Sequence, residues 1–190
     1  MAARVEVTTR MNEALDLFYP MNEFYQRSGV HLPQVVRVEG RDVPEPYRTL
    51  LVHDRDMTPT LTEAYQRKMQ LRILNRVLTD RVFAREIILE IEGHGKAVVY
   101  AAIKVYLDLF PPEAPRLILE GKQAFGAILQ GQGIIHSSRP QAFIRVKADD
   151  VINHALGLTG RSELYGRRSA LLNSSHIPLA QVLEILPPSN

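Results

Sequence analysis

The stretch "RVFAREIILEIEGHGKAVVYAAIKVYLDL" (81–109) decides the fold class. Phe83, Ile87, Leu89 and Ile91 share one face of a two-residue period, and Glu86, Glu90 and Glu92 share the other. That period belongs to a half-buried strand, whose side chains alternate between faces. "EGHGK" (92–96) is a tight turn, and the run after it places Ala97, Val99, Ala101, Ile103, Val105 and Leu107 on one inward face. Strands joined so closely run antiparallel, because a parallel pair needs a crossover of a dozen residues or more. One residue breaks the pattern. Arg85 stands on the apolar face of the first strand.

Working outward, "MQLRILNRVL" (69–78) reads as the preceding strand, around a turn near Asp80. "QAFIRVKA" (141–148), "YGRRSALLN" (165–173) and "IPLAQVLEIL" (177–186) read as later strands. "PPEAPRLILEGKQAFGAIL" (111–129) reads as helix, turn, helix, and "DDVINHALGL" (149–158) as a short helix. Residues 47–66 suggest a short helix, a turn at "DRDMTP" (54–59) and a second helix capped by Thr58, with Pro59 at its first position. Met11, Leu15 and Phe18 have helical spacing until Pro20 kinks or ends the run, and a proline-rich connector with Pro33, Pro44 and Pro46 follows. The expected class is α+β, an antiparallel sheet with helices packed against it. Residues 1–46 are expected to be a helical extension and 47–190 the main domain.

With 45% hydrophobic and 23% charged residues in 190, the chain can bury a core of its own and is not disordered. Its 23 basic and 21 acidic residues leave a weak field, and "GRRS" (166–169) holds only a pair of arginines, which excludes nucleic acid as the main partner. The sequence has no cysteine, so disulfides, thiolate nucleophiles and Cys-based metal sites are absent together. Glu6, Glu13 and Asp16 interrupt any apolar leader, and the longest apolar run contains Lys104 and Asp108 and is too short to span a bilayer. A cytoplasmic protein without membrane insertion is expected. The histidines at 31, 53, 94, 136, 154 and 176 include no i, i+4 pair and no carboxylate at metal-ligand spacing, so no metal site is expected. "HDRD" (53–56) reads as a solvated turn, and "GQGIIH" (131–136) lacks the last glycine and the preceding parallel strand of a dinucleotide fingerprint.

Arg85 is the informative anomaly, because burying an unpartnered guanidinium costs several kcal/mol. The last strand offers an anion. Glu184 shares a face with Ala180, Val182 and Leu186, while Leu179, Leu183 and Ile185 occupy the other, so this strand is buried on both sides. The pattern leaves two readings open. Either Arg85 and Glu184 form an internal ion pair, or they point into one cavity and hold opposite ends of an anionic ligand. The planar fork of Arg suits a carboxylate in the second case.

"LYGRRSALLNSSHIPLAQVLEILPPS" (164–189) resembles the C-terminal end of bacterial chorismate pyruvate-lyases, with its Gly-Arg-Arg-Ser strand, short turn, and last strand carrying a glutamate shortly before a proline. "FAREIILEIEGHGKAVVYAAIKV" (83–105) is similar to that family's Arg-Glu-Ile strand and the long strand after it. "GKQAFG" (121–126) resembles its turn between two helices, with Phe125 in place of Leu, and "RDMTPTL" (55–61) its Met-Thr turn. Residues 1–45 have no counterpart there, and residues 131–163 do not align. The resemblance implies helix-turn-helix flaps over a closed, buried ligand pocket, in a chorismate lyase-like fold. It implies conversion of chorismate to 4-hydroxybenzoate and pyruvate without metal or organic cofactor. Arg85 would bind the ring carboxylate, Met57 and Phe125 would hold the ligand through backbone amides, and Glu184 would meet the ring hydroxyl. Effector-binding domains of winged-helix regulators share this fold. A non-catalytic sensor of small aromatic acids is therefore the alternative, although residues 1–46 look too short and too weakly basic for a DNA-binding module. A lyase relative acting on a different chorismate-like acid is a further one.

Overall fold

A computed structural model of the chain describes residues 12–14 and 16–188. The expected pattern at Met11 and Leu15 falls outside them. Helix α1 (Met21–Arg27) starts directly after Pro20, and β1 (Val35–Val38) follows. Helices α2 (Tyr47–Leu51) and α3 (Met57–Tyr65) precede three long strands, β2 (Met69–Leu78), β3 (Val82–Ile91) and β4 (Ala97–Tyr106). Helices α4 (Glu113–Glu120) and α5 (Phe125–Gly131) lead into β5 (Ser137–Lys147), α6 (Asp150–Leu156), β6 (Glu163–Leu172) and β7 (Pro178–Leu186). The seven strands form one sheet in the order β1-β5-β6-β7-β4-β3-β2, and every neighbouring pair is antiparallel. Two meanders, β2-β3-β4 and β5-β6-β7, are thus joined along β4 and β7. The α+β reading and its antiparallel sheet hold.

Both faces of the sheet are covered. On one, α1 and α6 bring Met21, Phe24, Tyr25 and Ile152 against Ile88, Tyr100, Ala102, Ile144 and Leu183. On the other, two separate apolar clusters form. Leu51, Met57 and Leu61 of α2 and α3 pack on Leu89, Val99 and Leu186, while Ala114, Ile118, Phe125 and Ile128 of α4 and α5 pack on Phe83, Val105, Leu171 and Ala180. The gap between these two flaps lies over the middle of the sheet.

Four expectations change. β3 and β4 are buried on both faces because α1 and α6 cover the second one, so Glu86 is not a solvent-facing residue. It is 4% exposed, and its carboxylate accepts hydrogen bonds from the Tyr100 hydroxyl and, at 2.5 Å, from Asn75 Nδ2. Helix α3 begins at Met57 with Asp56, not Thr58, in the capping position. β4 ends at Tyr106 in a 3₁₀ turn, Leu107–Leu109, and β5 begins at Ser137. Finally, β1 emerges from the connector that its prolines marked as irregular, with Val35 to Val38 paired to Val146 to Phe143 on the sheet edge.

The first residue of "GRRS" has a packing reason. A Cβ at Gly166 would lie 2.6 Å from the carbonyl oxygen of Glu184, closer than backbone can tolerate. β6 and β7 can pair here only because position 166 is bare. Gly166→Ala is expected to cost about 1–3 kcal/mol of stability through this overpacking, read as a lower urea midpoint at unchanged slope.

Candidate functional site

Strand register brings the chemistry together. Across the sheet, Arg85 is level with Ile103, Val182 and Ser169, and the next row on the same face runs Ile87, Ala101, Glu184, Arg167. The flaps close over these rows and leave a cavity of about 70 Å³, well above what one water needs. Its walls include Arg85, Glu184, Arg167, Ser169, Ser138 and Asp56, on an apolar floor of Ile87, Ala101 and Val182. Met57 and Phe125 also line it. They are the first residues of α3 and α5, where backbone N–H groups have no acceptor within the helix and carry the positive end of its dipole. All four residues picked from the sequence therefore meet in one cavity.

Arg85 and Glu184 do not pair with each other. They sit two strands and one row apart, roughly 12 Å between Cα atoms by strand spacing. Arg85 is 2% exposed, and its Nη2 donates to the Gln123 carbonyl at 3.2 Å. Its Nη1 is buried without a hydrogen-bond partner among the described residues. Desolvation pulls the guanidinium pKa down to about 10, which still leaves it charged at neutral pH. A buried cation thus faces the cavity with one carbonyl and no carboxylate beside it.

Glu184 has a different partner. Arg167, 1% exposed, donates to its Oε2 from Nε at 3.2 Å and from Nη2 at 3.0 Å. Burial raises the Glu184 pKa, and the Arg167 charge and hydrogen bonds oppose that rise. The third arm of the guanidinium, Nη1, donates to the carbonyls of His53 at 3.0 Å and Arg55 at 3.3 Å, and lies 3.1 Å from His53 Nδ1. For Nδ1 to accept, the His53 proton must sit on Nε2, which reaches the Leu50 carbonyl at 2.8 Å. Burial, and then the Arg167 charge, lower the His53 pKa and keep this neutral tautomer. "HDRD" is therefore no solvated turn at its first residue; it clamps Arg167 and, through it, Glu184.

The two flaps touch beside the cavity, through Asp56 and His136. Asp56 caps α3 by position but makes no side-chain capping bond; its Oδ2 lies 2.8 Å from Nε2 of His136, just before β5. Gly126 of α5 packs beside it, where a Cβ would stand 3.1 Å from that same oxygen. The Asp56 hydrogen bond, with smaller help from the Ile134 carbonyl, raises the His136 pKa against desolvation. A base whose pKa rises on folding holds its proton more tightly when folded. Its stabilisation is complete below the unfolded value near 6.5 and is lost as pH climbs through the raised folded value. His136→Gln is thus expected to destabilise the protein most below pH 6.5, with the gap to the unmodified chain closing in alkaline solution. Denaturation midpoints across pH would show it.

No protein-family model and no curated protein matches the sequence. Among solved structures, PhnF from Mycobacterium smegmatis superposes with a TM-score of 0.55 at 13% identity, over 70% of this chain and 63% of that one. The effector domain of the same protein gives 0.53 at 13% identity, over 69% of this chain and 87% of that one. The fold is chorismate lyase-like. At such identity the likeness concerns the fold alone, and this chain spans less than two thirds of PhnF. The ligand-binding domain of a putative GntR-family transcriptional regulator from Bordetella bronchiseptica gives a TM-score of 0.48 at 12% identity, over 64% of this chain and 87% of that one. Among the described residues no helix is long and apolar enough to cross a membrane, and no group of three His, Asp or Glu could hold a metal ion.

The sequence pattern gives no role to Arg167, Ser169, Ser138, Asp56, His53 or His136. Arg167 and Ser169 lie in the "GRRS" strand that carried the resemblance, and Asp56 in "RDMTPTL". His136 ends "GQGIIH", a stretch that aligned with nothing and carries no sequence signal of its position.

Proposed function

We propose that the cavity binds a small aromatic carboxylic acid, and that the protein is a lyase that converts chorismate there into 4-hydroxybenzoate and pyruvate. One observation carries the binding: among the described residues, Arg85 is a buried cation with an unpartnered Nη1 and no carboxylate in an ion pair with it. A ligand carboxylate, taken bidentately, supplies the missing charge and hydrogen bonds. Met57 and Phe125, the residues that open α3 and α5, line the same cavity. Roughly 12 Å away along the floor, the Glu184–Arg167 pair can accept from and donate to a ring hydroxyl. This spacing suits a ring substituted at opposite ends.

The chorismate reaction needs little from the protein beyond orientation. The ether bond at ring carbon 3 breaks, the hydrogen at carbon 4 is lost, and the ring becomes aromatic. The enolpyruvyl fragment takes up a proton to give pyruvate, so atoms balance without water or redox change. Arg85 would fix the carboxylate end and Glu184 the 4-hydroxyl, while the flaps exclude water. The lyase reading rests on the resemblance of four separated motifs to the lyase family; that their Met57, Arg85, Phe125, Glu184 and Arg167 line a single cavity supports binding under either reading.

The likeness to the effector domain of PhnF favours a second reading, in which the same acid is held unchanged as a signal. Incubation with chorismate separates the two. Pyruvate release, monitored alongside formation of the aromatic acid and insensitive to EDTA, is the expected result. Binding of 4-hydroxybenzoate with no pyruvate formed would remove the lyase and leave the sensor. Both readings share an expectation about stability. 4-Hydroxybenzoate at ~100 times its dissociation constant should add roughly 2.7 kcal/mol, and benzoate, lacking the group that Glu184 receives, should raise the melting temperature much less. Equal shifts would mean that the Glu184 end is not read.

A further inference from the structure

The cavity has a third polar corner. Ser169 is 1% exposed, lines the cavity, and its Oγ is buried with no hydrogen-bond partner among the described residues. A buried hydroxyl left unpaired is costly, and here the open side is the cavity itself. Register fixes where this corner lies. Ser169 is in the Arg85 row, three strands away, and one strand and one row from Glu184. With strands about 4.8 Å apart and alternate residues about 6.8 Å apart, a line from Arg85 to Glu184 passes Ser169 to one side. The serine then stands abreast of the Glu184 end, roughly 8 Å off that line between Cα positions.

We infer that Ser169 reads a polar substituent on the ring atom next to the one that faces Glu184, so that the ligand class is an aromatic or cyclohexadiene acid with polar groups at two adjacent positions opposite its carboxylate. This rests on the aromatic-acid reading of the same cavity. A ring held by its carboxylate at Arg85 and by a 4-hydroxyl at Glu184 turns one edge to β6, and position 3 on that edge is the atom nearest to Ser169. Ser138 of β5, also on the cavity wall, lies two residues beyond the row of Ser169 and is the competing hydroxyl. Its row, which runs through Leu171, Ala180 and Val105, is farther from the Arg85–Glu184 line.

Calorimetric titration of the full chain with 4-hydroxybenzoate and 3,4-dihydroxybenzoate tests this. A neutral hydrogen bond gained in a dry site corresponds to about three- to tenfold in affinity. The dihydroxy acid is expected to bind tighter by that factor, and Ser169→Ala to reduce the ratio of the two affinities to near one. Because the hydroxyl has no protein partner, this variant should melt at or above the temperature of the unmodified chain. If 4-hydroxybenzoate binds but the second hydroxyl adds nothing, the inference is overturned while the aromatic-acid reading stands. A ratio that survives Ser169→Ala and collapses in Ser138→Ala overturns the assignment to Ser169. Failure of both acids to bind removes the parent reading, and this inference with it.

Discussion

Arg85→Met is expected to weaken 4-hydroxybenzoate binding by more than about 100-fold and leave the chain folded. Two hydrogen bonds between a guanidinium and a carboxylate contribute about 1.5–3 kcal/mol each, and each 1.4 kcal/mol is a factor of ten. Methionine fills the volume of the aliphatic stem without its charge. The fold should tolerate the change because, among the described residues, Arg85 makes one side-chain bond, to the Gln123 carbonyl, and holds no carboxylate in place. Removing a buried charge that nothing neutralises is expected to leave the melting temperature of the ligand-free protein level or higher. Titration with 4-hydroxybenzoate and a thermal melt of the same preparation decide the matter. An unchanged dissociation constant would falsify the role given to this residue, and a collapse of stability would mean that Arg85 has a structural partner after all.

Arg167→Met should behave in the opposite way. It strands Glu184, removes the donor to the carbonyls of His53 and Arg55, and leaves His53 Nδ1 with the Arg55 amide alone as its donor. Breaking a buried pair by taking one partner typically costs about 3–5 kcal/mol. The loss should be read as a shift in urea midpoint of that size, and it should shrink when Glu184→Gln is added, because the second change removes the orphaned charge. A double-mutant cycle with no coupling would mean that the two side chains do not act as a unit. The contrast between the two arginines is the sharpest stability test of the site: one is dispensable to the fold and the other is not.

Much of this arrangement was legible in the sequence, and the reasons differ by element. β3, β4 and the two helical flaps follow from period and punctuation, since "EGHGK" leaves room only for a turn and "GKQAFG" breaks two apolar helical runs. Arg85 was legible because a charge on an apolar face has no bland local explanation. Arg167 was not, for a geometric reason. Counted back from the "SSH" turn with Leu172 opposite Pro178, Arg168 falls opposite Val182, on the face that Glu184 shares, and Arg167 falls opposite Leu183 on the other face. A bulge between Leu171 and Leu172 shifts the ladder by one and sets Arg167 opposite Glu184 instead. A one-residue slip exchanges the faces of a strand, so no pattern reading can say which arginine of "GRRS" points inward. β1 was hidden for another reason. Four residues, "VVRV", pair because β6 occupies one side of β5 and leaves the other as an open edge. Asp56 and His136 meet across 80 positions, and neither segment's periodicity speaks of the other.

The bond from Arg85 to Gln123 joins a buried charge to an exposed turn between α4 and α5. On the proposed function, a carboxylate taken up at Nη1 would bind the same guanidinium whose Nη2 holds the Gln123 carbonyl, so the ligand and the turn would share one side chain. Under that reading, occupancy of the cavity would be felt at an exposed turn. For a catalyst, this links the departure of an acidic product to the opening of one flap. For a receptor, the same link is its output: a message carried by a single backbone oxygen, legible to hydrogen exchange at residues 121–126 before any partner is known.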